Sequence, residues 1–247
     1  MILIYLAAGM GKRLRKISKN KPKCFTIINK KKIIDYNKAN FSLFKKVFIV
    51  TGYKSNLINK EFKLNKKVKL VHNKNFKITN MVESTFLVKK YIKKSDVVIC
   101  YGDIIFNRSI IKKLIKIKKK NLMPLNSNWL NLWKKRMNYK NIIKDAENIV
   151  TKNNYITEIG TKIKKKLPLL QYMGLIKLSN KSFNNLFNYY KTKDKKIDLT
   201  SFINDSIKSK KVKINFFKTK KEWMEIDNIM DIDVANKILK NNDQILL

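Results

Sequence analysis

The stretch Ile2-Leu3-Ile4-Tyr5-Leu6 is apolar without a break and runs straight into Ala7-Ala8-Gly9-Met10-Gly11. An apolar run this short reads as a strand buried on both faces, and burial on both faces belongs to a parallel sheet covered by helices on either side. The same pattern recurs through the first half. Strands are expected at residues 46–51, 68–71 and 96–101, stopped in two cases by Gly52 and Gly102. Helical patterns fall between them at 33–44, 82–92 and 109–119. The second half is less regular: strands at 148–151, 155–160, 171–178, 212–217 and 223–226, and helices at 181–190, 200–208 and 231–240, the last with Asp231 as its N-terminal cap. Strands alternating with helices predict an α/β fold with a mixed, mainly parallel sheet. Neither a linker nor an internal repeat interrupts the chain, so residues 1–247 read as one domain.

Charge sets the second constraint. Lys and Arg number 57 against 17 Asp and Glu, a formal net charge of +40. Such a balance suits a nucleic-acid-binding module or an anionic surface. Binders of that kind gather their charge on one face, whereas Lys is scattered here through almost every expected element, in runs such as Lys118-Lys119-Lys120 and Lys164-Lys165-Lys166. Abundant Lys, Asn and Ile fit biased coding, with solvated lysines and no specific nucleic acid. The field would still draw a polyanionic small substrate. Cys24 and Cys100 have no metal-type spacing and form no disulfide framework. With no signal-peptide pattern, and no apolar run near the ~18 residues that span a bilayer, a cytoplasmic protein without membrane insertion is expected. His72 is the sole histidine, which leaves no triad for nucleophilic catalysis.

The loop Leu6-Ala7-Ala8-Gly9-Met10-Gly11-Lys12-Arg13-Leu14 carries the chemistry. Small residues let a backbone approach a phosphate closely and expose its N–H groups, and Lys12 and Arg13 add charged donors. The dinucleotide fingerprint would need a third glycine where Leu14 stands, and the Walker pattern a Ser or Thr where Arg13 stands; neither applies. A tight turn with incidental lysines is the plainer alternative. Lys21-Pro22-Lys23 follows, with Pro22 stiffening the backbone that holds its neighbours.

The glycine loop followed by Lys-Pro-Lys resembles the nucleotidyltransferases of the sugar-1-phosphate and phosphocholine cytidylyltransferase group. The resemblance implies a Rossmann-like three-layer α/β/α nucleotidyltransferase fold. It also implies a nucleotide site built from Leu6, Ala7, Ala8, Gly9, Gly11 and Lys12, where relatives commonly have a small residue in place of Lys12. Arg13 would brace the β- and γ-phosphates, and Lys23 would meet the reacting α-phosphate. Gly102 and Asp103 close the fourth expected strand at the carboxyl edge of the sheet, where open α/β folds bind ligands. The run Trp223-Met224-Glu225-Ile226-Asp227-Asn228, with Asp231 beyond it, matches a late motif of the phosphocholine-type enzymes. By the resemblance Asp103 and Asp227 hold Mg²⁺, and Arg13, Lys23, Asp103 and Asp227 form the catalytic set. A turn aspartate and a helix cap are the plainer readings of the two carboxylates.

Further stretches narrow the substrates. Asn80, Met81 and Ser84 lie in a segment that CTP-using relatives place by the nucleotide, although a helix cap alone would explain Asn80. Trp129, Trp133, Asp145, Glu147, Tyr172 and Glu225 resemble the acceptor side of a subgroup that activates small phospho-compounds, phosphoglutamine for capsule decoration among them. Two indole faces beside an acidic pair suit an ammonium head, while Trp129 and Trp133, four apart, also fit one apolar helix stripe. The expected activity is transfer of CMP from CTP to a small phosphorylated or phosphonate acceptor, with pyrophosphate released. A sugar-1-phosphate enzyme using dTTP or UTP is the alternative within the same group.

Overall fold

The computed structural model describes residues 1–14, 20–163 and 166–240. Its strands are β1 (Ile2–Ala7), β2 (Ile27–Ile28), β3 (Lys31–Lys32), β4 (Lys46–Thr51), β5 (Val68–His72), β6 (Val97–Tyr101), β7 (Ile104–Phe106), β8 (Leu122–Asn126), β9 (Glu147–Lys152), β10 (Tyr155–Lys162), β11 (Gln171–Tyr172), β12 (Leu175–Leu178), β13 (Asn215–Thr219) and β14 (Trp223–Glu225). The main sheet runs β5-β4-β1-β6-β12-β8-β13-β10-β9, with β11 alongside β8. Along that path β12 and β10 run against the rest, so the sheet is mixed and mainly parallel.

β1 is buried along its whole length, and its side chains alternate between two cores. Ile2, Ile4 and Leu6 join the cluster on one face, while Leu3, Tyr5 and Ala7 join the cluster on the other. The continuous apolar pattern thus reports helices on both faces, the three-layer arrangement. Each large apolar side chain so placed contributes about 1.5–3 kcal/mol relative to exposure. Cys24 and Cys100 are free thiols buried in the second core. From β1 the chain moves outward through β4 and β5, then returns to β6 on the other side of β1. That reversal makes a switch point, and the crevice outside the strand ends there is where such sheets take ligands.

Several elements differ from expectation for identifiable reasons. The helix expected at 33–44 is an α-helix over Ile33–Lys38 followed by a 3₁₀ turn over Ala39–Leu43; the side chain of Asn37, a weak helix former, donates instead to the Ile104 carbonyl (2.9 Å). The helix expected at 82–92 ends as Met81–Phe86. The strand expected at 171–178 breaks into β11 and β12 at Gly174, whose φ of +76° no strand residue adopts. β8 was not among the expected strands, and it carries Pro124, a residue that central strands ordinarily exclude. On that side β8 pairs through Leu122 to β12 and through Leu125 and Asn126 to β11, and Pro124, which has no N–H, falls in the break. Asp231 does not cap the last helix, Ile229–Lys240, from outside. It lies in the first turn and exchanges hydrogen bonds with Asn228: Asn228 N–H donates to Asp231 Oδ2 (3.0 Å) and Asp231 N–H to Asn228 Oδ1 (3.2 Å). This is a reciprocal capping arrangement. Lys118, Lys119 and Lys120 are exposed, and Lys164-Lys165 lies outside the described residues.

Candidate active site

The loop leaving β1 turns at Gly11, whose φ is +55° and whose Cβ, if present, would lie 3.1 Å from Lys23 Cβ. The left-handed backbone and the close approach both require glycine here. A 3₁₀ turn, Lys12–Leu14, follows; buried Leu14 anchors it while Lys12 and Arg13 stay exposed. Pro22 starts a second 3₁₀ turn, Lys23–Phe25. Cys24 and Phe25 are buried beneath it, so Lys21 faces solvent and Lys23 is held inward.

Lys23 Nζ donates to Asp103 Oδ2 at 2.5 Å and also to Asp227 Oδ1. Arg13 reaches the same Asp227 oxygen at 3.2 Å. Two carboxylates far apart in the sequence meet because β7 and β14 pair antiparallel directly after the Asp103 turn, and Ile226 N–H donates to the Asp103 carbonyl (3.0 Å). Gly102 sets the depth of that turn: a Cβ there would lie 2.2 Å from the Leu6 carbonyl oxygen, and Tyr5 Oη donates to the Gly102 carbonyl (3.0 Å). Gly102→Ala is therefore expected to destabilise the fold by about 3 kcal/mol through overpacking, read as a lower urea midpoint; an unchanged midpoint would contradict the contact.

Glu225 joins the pair. One carboxylate oxygen from each of Asp103, Glu225 and Asp227 lies within 4.8 Å of the others. Burial, and then the charges of Asp227 and Asp103, push the Glu225 carboxyl up to about 8. Burial would raise Asp227 too, but Lys23, followed by Arg13 and Arg136, outweighs it and holds that carboxyl below its ordinary value. Burial would lower the Lys23 ammonium, and the two aspartates outweigh it in turn. Asp103 Oδ1 is buried without a hydrogen-bond partner among the described residues. Clustered hard oxygen donors, one of them unsatisfied, that draw an ammonium into their midst are a donor set that suits a small divalent cation.

A cavity of about 300 Å³ adjoins this cluster, lined by Arg13, Glu225 and Asp227 at the carboxylates. Tyr101, Tyr172, Trp133, Trp223 and Met81 supply apolar wall, and Asp145, Glu147, Asp198 and Thr200 a second polar stretch. Of the expected acceptor residues, Trp133, Asp145, Glu147, Tyr172 and Glu225 line it, and Trp129 does not. Trp129 is 2% exposed, packs edge-on against Trp133 at 5.3 Å and donates its Nε1–H to the Pro168 carbonyl (3.0 Å); it is core behind the wall. Among the nucleotide-side residues Met81 lines the cavity. Asn80 caps its helix, accepting from Met81 N–H (2.7 Å), and Ser84 is buried with its hydroxyl accepting from Asn73 Nδ2 (3.0 Å), so that hydroxyl is already engaged inside the fold. Leu6, Ala7 and Ala8 are buried at the strand end, and Gly9 is open: apart from its chain neighbours, no described residue comes within 4 Å of where its Cβ would stand.

Arg136 was not singled out in the sequence. It is buried, pairs with Asp231 Oδ1 (Nε, 2.8 Å), donates from Nη1 to the Glu225 carbonyl (3.2 Å) and lies over the Trp133 ring. Asp231 in turn accepts the Asp227 N–H at 2.7 Å. The pair clamps the backbone that carries Glu225 and Asp227. Arg136→Met leaves the Asp231 carboxylate, 1% exposed, without its partner. A loss of about 3–5 kcal/mol in unfolding free energy is expected; wild-type stability by urea unfolding would show that the clamp is incidental.

A glycine-lined turn at a switch point, two cations and a carboxylate cluster define a phosphate-handling α/β enzyme. The family model described as nucleotidyl transferase matches residues 2–242, and the chain belongs to the nucleotidyltransferase family. It is 31% identical over 208 residues to the CTP:phosphoglutamine cytidylyltransferase of Campylobacter jejuni, covering 80% of each chain. Two solved structures share the fold. The inositol-1-phosphate CTP transferase from T. maritima superposes with a TM-score of 0.73 at 20% identity, over 97% of this chain and 96% of that one. The CTP:phosphocholine cytidylyltransferase from Streptococcus pneumoniae gives 0.74 at 18% identity, over 96% and 99%. No helix among the described residues is long and apolar enough to cross a membrane.

Proposed function

We propose that this chain is a cytoplasmic, single-domain cytidylyltransferase that moves CMP from CTP to a small phosphorylated or phosphonate acceptor. The carrying observation is that Lys23, Arg13, Asp103, Glu225 and Asp227 converge beside one acceptor-sized cavity. The C. jejuni relative, which acts on phosphoglutamine with CTP, supports the nucleotide and the size of the acceptor.

The loop from Leu6 through Lys12 receives the triphosphate with its backbone N–H groups. Met81, with Asn80 behind it, borders the nucleotide, and Gly102 leaves room at the strand end. Asp103 and Asp227 would hold Mg²⁺, with Glu225 beside them; when bound, the ion would supply charge neutralisation for the phosphates. An acceptor oxygen, already anionic at neutral pH, attacks the α-phosphorus. The new P–O bond forms as the α–β bridging P–O bond breaks, and its electron pair leaves with pyrophosphate. No proton must move, so no general base is needed. Lys23 exchanges one carboxylate for an α-phosphate oxygen and steadies the growing charge, and Arg13 braces the leaving phosphates; catalysis is positioning plus charge stabilisation.

The test is pyrophosphate release with Mg²⁺, each nucleoside triphosphate in turn, and a panel of small phosphates and phosphonates. CTP should support turnover far above the others. Turnover with dTTP or UTP and none with CTP would overturn the nucleotide assignment.

A further inference from the structure

We propose that a second cavity, between the helix Met81–Phe86 with the turn after it and the helix Asn180–Tyr190, binds an amphipathic anion. Such a ligand is a small molecule with one apolar body and one acidic head. The cavity holds about 550 Å³, within the ~300–1,000 Å³ usual for small-ligand sites. It shares no lining residue with the cavity beside the carboxylates. Its floor is apolar. Phe86 and Tyr190, 6% and 2% exposed, belong to the core. Phe187 packs on that core with part of its surface open. The Phe86 ring lies 5.6 Å from Phe187 and 5.3 Å from Tyr190, so the floor is a fixed aromatic cluster.

The rim is cationic. Lysine is scattered over this whole chain, so the presence of Lys89, Lys90, Lys191 and Lys195 at a cavity decides nothing by number. Their placement does. Among the described residues Glu83 is the one carboxylate lining the cavity, and it is already engaged. It accepts from Tyr190 Oη (2.8 Å) and pairs with Lys195 Nζ at 3.6 Å. Among the described residues no carboxylate pairs with Lys89, Lys90 or Lys191. Lys89 and Lys191 come from the two different walls and lie over the same Phe187 ring, 5.9 and 4.9 Å from its centroid. Like charges gathered at one ring repel, and an anionic head beside them removes that repulsion.

Floor and rim together set the ligand. An inorganic anion would meet the lysines and leave the aromatic floor in water. A neutral apolar molecule would cover the floor and leave the ammonium groups without a counter-charge. An anion with an apolar body does both, burying apolar surface and giving the lysines charged acceptors. The concave shape favours a small molecule over an anionic lipid surface, which would be met by a raised face.

The experiment is titration calorimetry on the full chain with naphthalene-1-sulfonate and hexane-1-sulfonate, which separate an aryl from an alkyl body. Methanesulfonate supplies the head alone and naphthalene-1-methanol the body alone. At least one of the two larger sulfonates should bind ~10-fold or more tighter than either part, the scale of a modest apolar burial. The double variant Lys89→Gln/Lys191→Gln should weaken that binding ~5- to 10-fold, as expected for two solvent-screened ion pairs, and about 0.5 M NaCl should do likewise. Phe187→Ala should weaken it ~10-fold through lost aromatic contact. Lys191 is exposed and Lys89 half-buried, so the lysine variant keeps the fold even if Phe187→Ala does not, with circular dichroism as the control. Saturating CTP and Mg²⁺ should leave the affinity unchanged. Displacement of the sulfonate by CTP would put it in the catalytic cavity and overturn the site. Binding indifferent to the lysine variant, or methanesulfonate binding as tightly as the larger sulfonates, would overturn it too. Protein that sediments with phosphatidylglycerol vesicles but binds none of the free sulfonates would give this face to a membrane and likewise overturn the proposal.

Discussion

Asp103→Ala is expected to lower turnover by a factor of ~10³ or more while the protein stays folded, because the proposed ion loses one of its anchors and several kcal/mol of charge stabilisation go with it. The fold should tolerate the change. The backbone carbonyl of Asp103, which accepts from Ile226 N–H, is untouched, and Gly102 still sets the turn. The defect should persist at saturating CTP and acceptor, since the missing contribution is made during phosphoryl transfer and is absent from simple binding. Steady-state pyrophosphate release, with circular dichroism as a folding control, reads both halves. Wild-type turnover in a folded Asp103→Ala protein would remove this carboxylate from the chemistry.

Lys23→Ala should produce two separable losses. The first is catalytic: kcat falls by ~10²–10³, the scale for one preorganised donor aimed at developing charge, while the affinity for CTP changes much less. The second is structural. Without the ammonium, Asp103, Glu225 and Asp227 face one another with Arg13, 63% exposed, as the remaining ionic partner of Asp227 among the described residues. The Lys23, Asp103 and Asp227 side chains are 16%, 22% and 15% exposed, so the uncompensated charge is not washed out by solvent, and a loss of about 3 kcal/mol is expected. Added Mg²⁺ should restore much of that stability, because a divalent cation replaces the missing charge. A thermal melt unchanged by the substitution, or a loss that Mg²⁺ does not touch, would contradict this reading of the cluster.

What could be read from the residues alone follows the range of the forces involved. The glycine turn, Lys23 behind Pro22, and Asp103 after Gly102 are each specified within a few residues, and Asp103 follows the carboxyl end of β6, the strand end where it was expected. Asp227 was legible because Trp223 through Asn228 is a local run, although Glu225, expected on the acceptor side, also joins the carboxylate cluster. Arg136 and Asp198 enter the cavity through packing between distant elements, and no local pattern announces that. The two tryptophans of the helix Trp129–Lys134 show the same limit. Periodicity places them on one stripe, and only the approach of Trp223 and Pro168 decides that Trp133 faces the cavity and Trp129 the core. For Ser84, named by resemblance to CTP-using relatives, nothing in the sequence signals that Asn73 Nδ2 donates to its hydroxyl.

The most direct test of the central claim is to locate the ion. A crystal grown with Mn²⁺ and a non-hydrolysable CTP analogue should show an anomalous peak coordinated by Asp103 and Asp227, with the triphosphate lying along the Gly9–Gly11 loop. A peak elsewhere, or a triphosphate bound away from that loop with the two aspartates still closed on Lys23, would contradict the account.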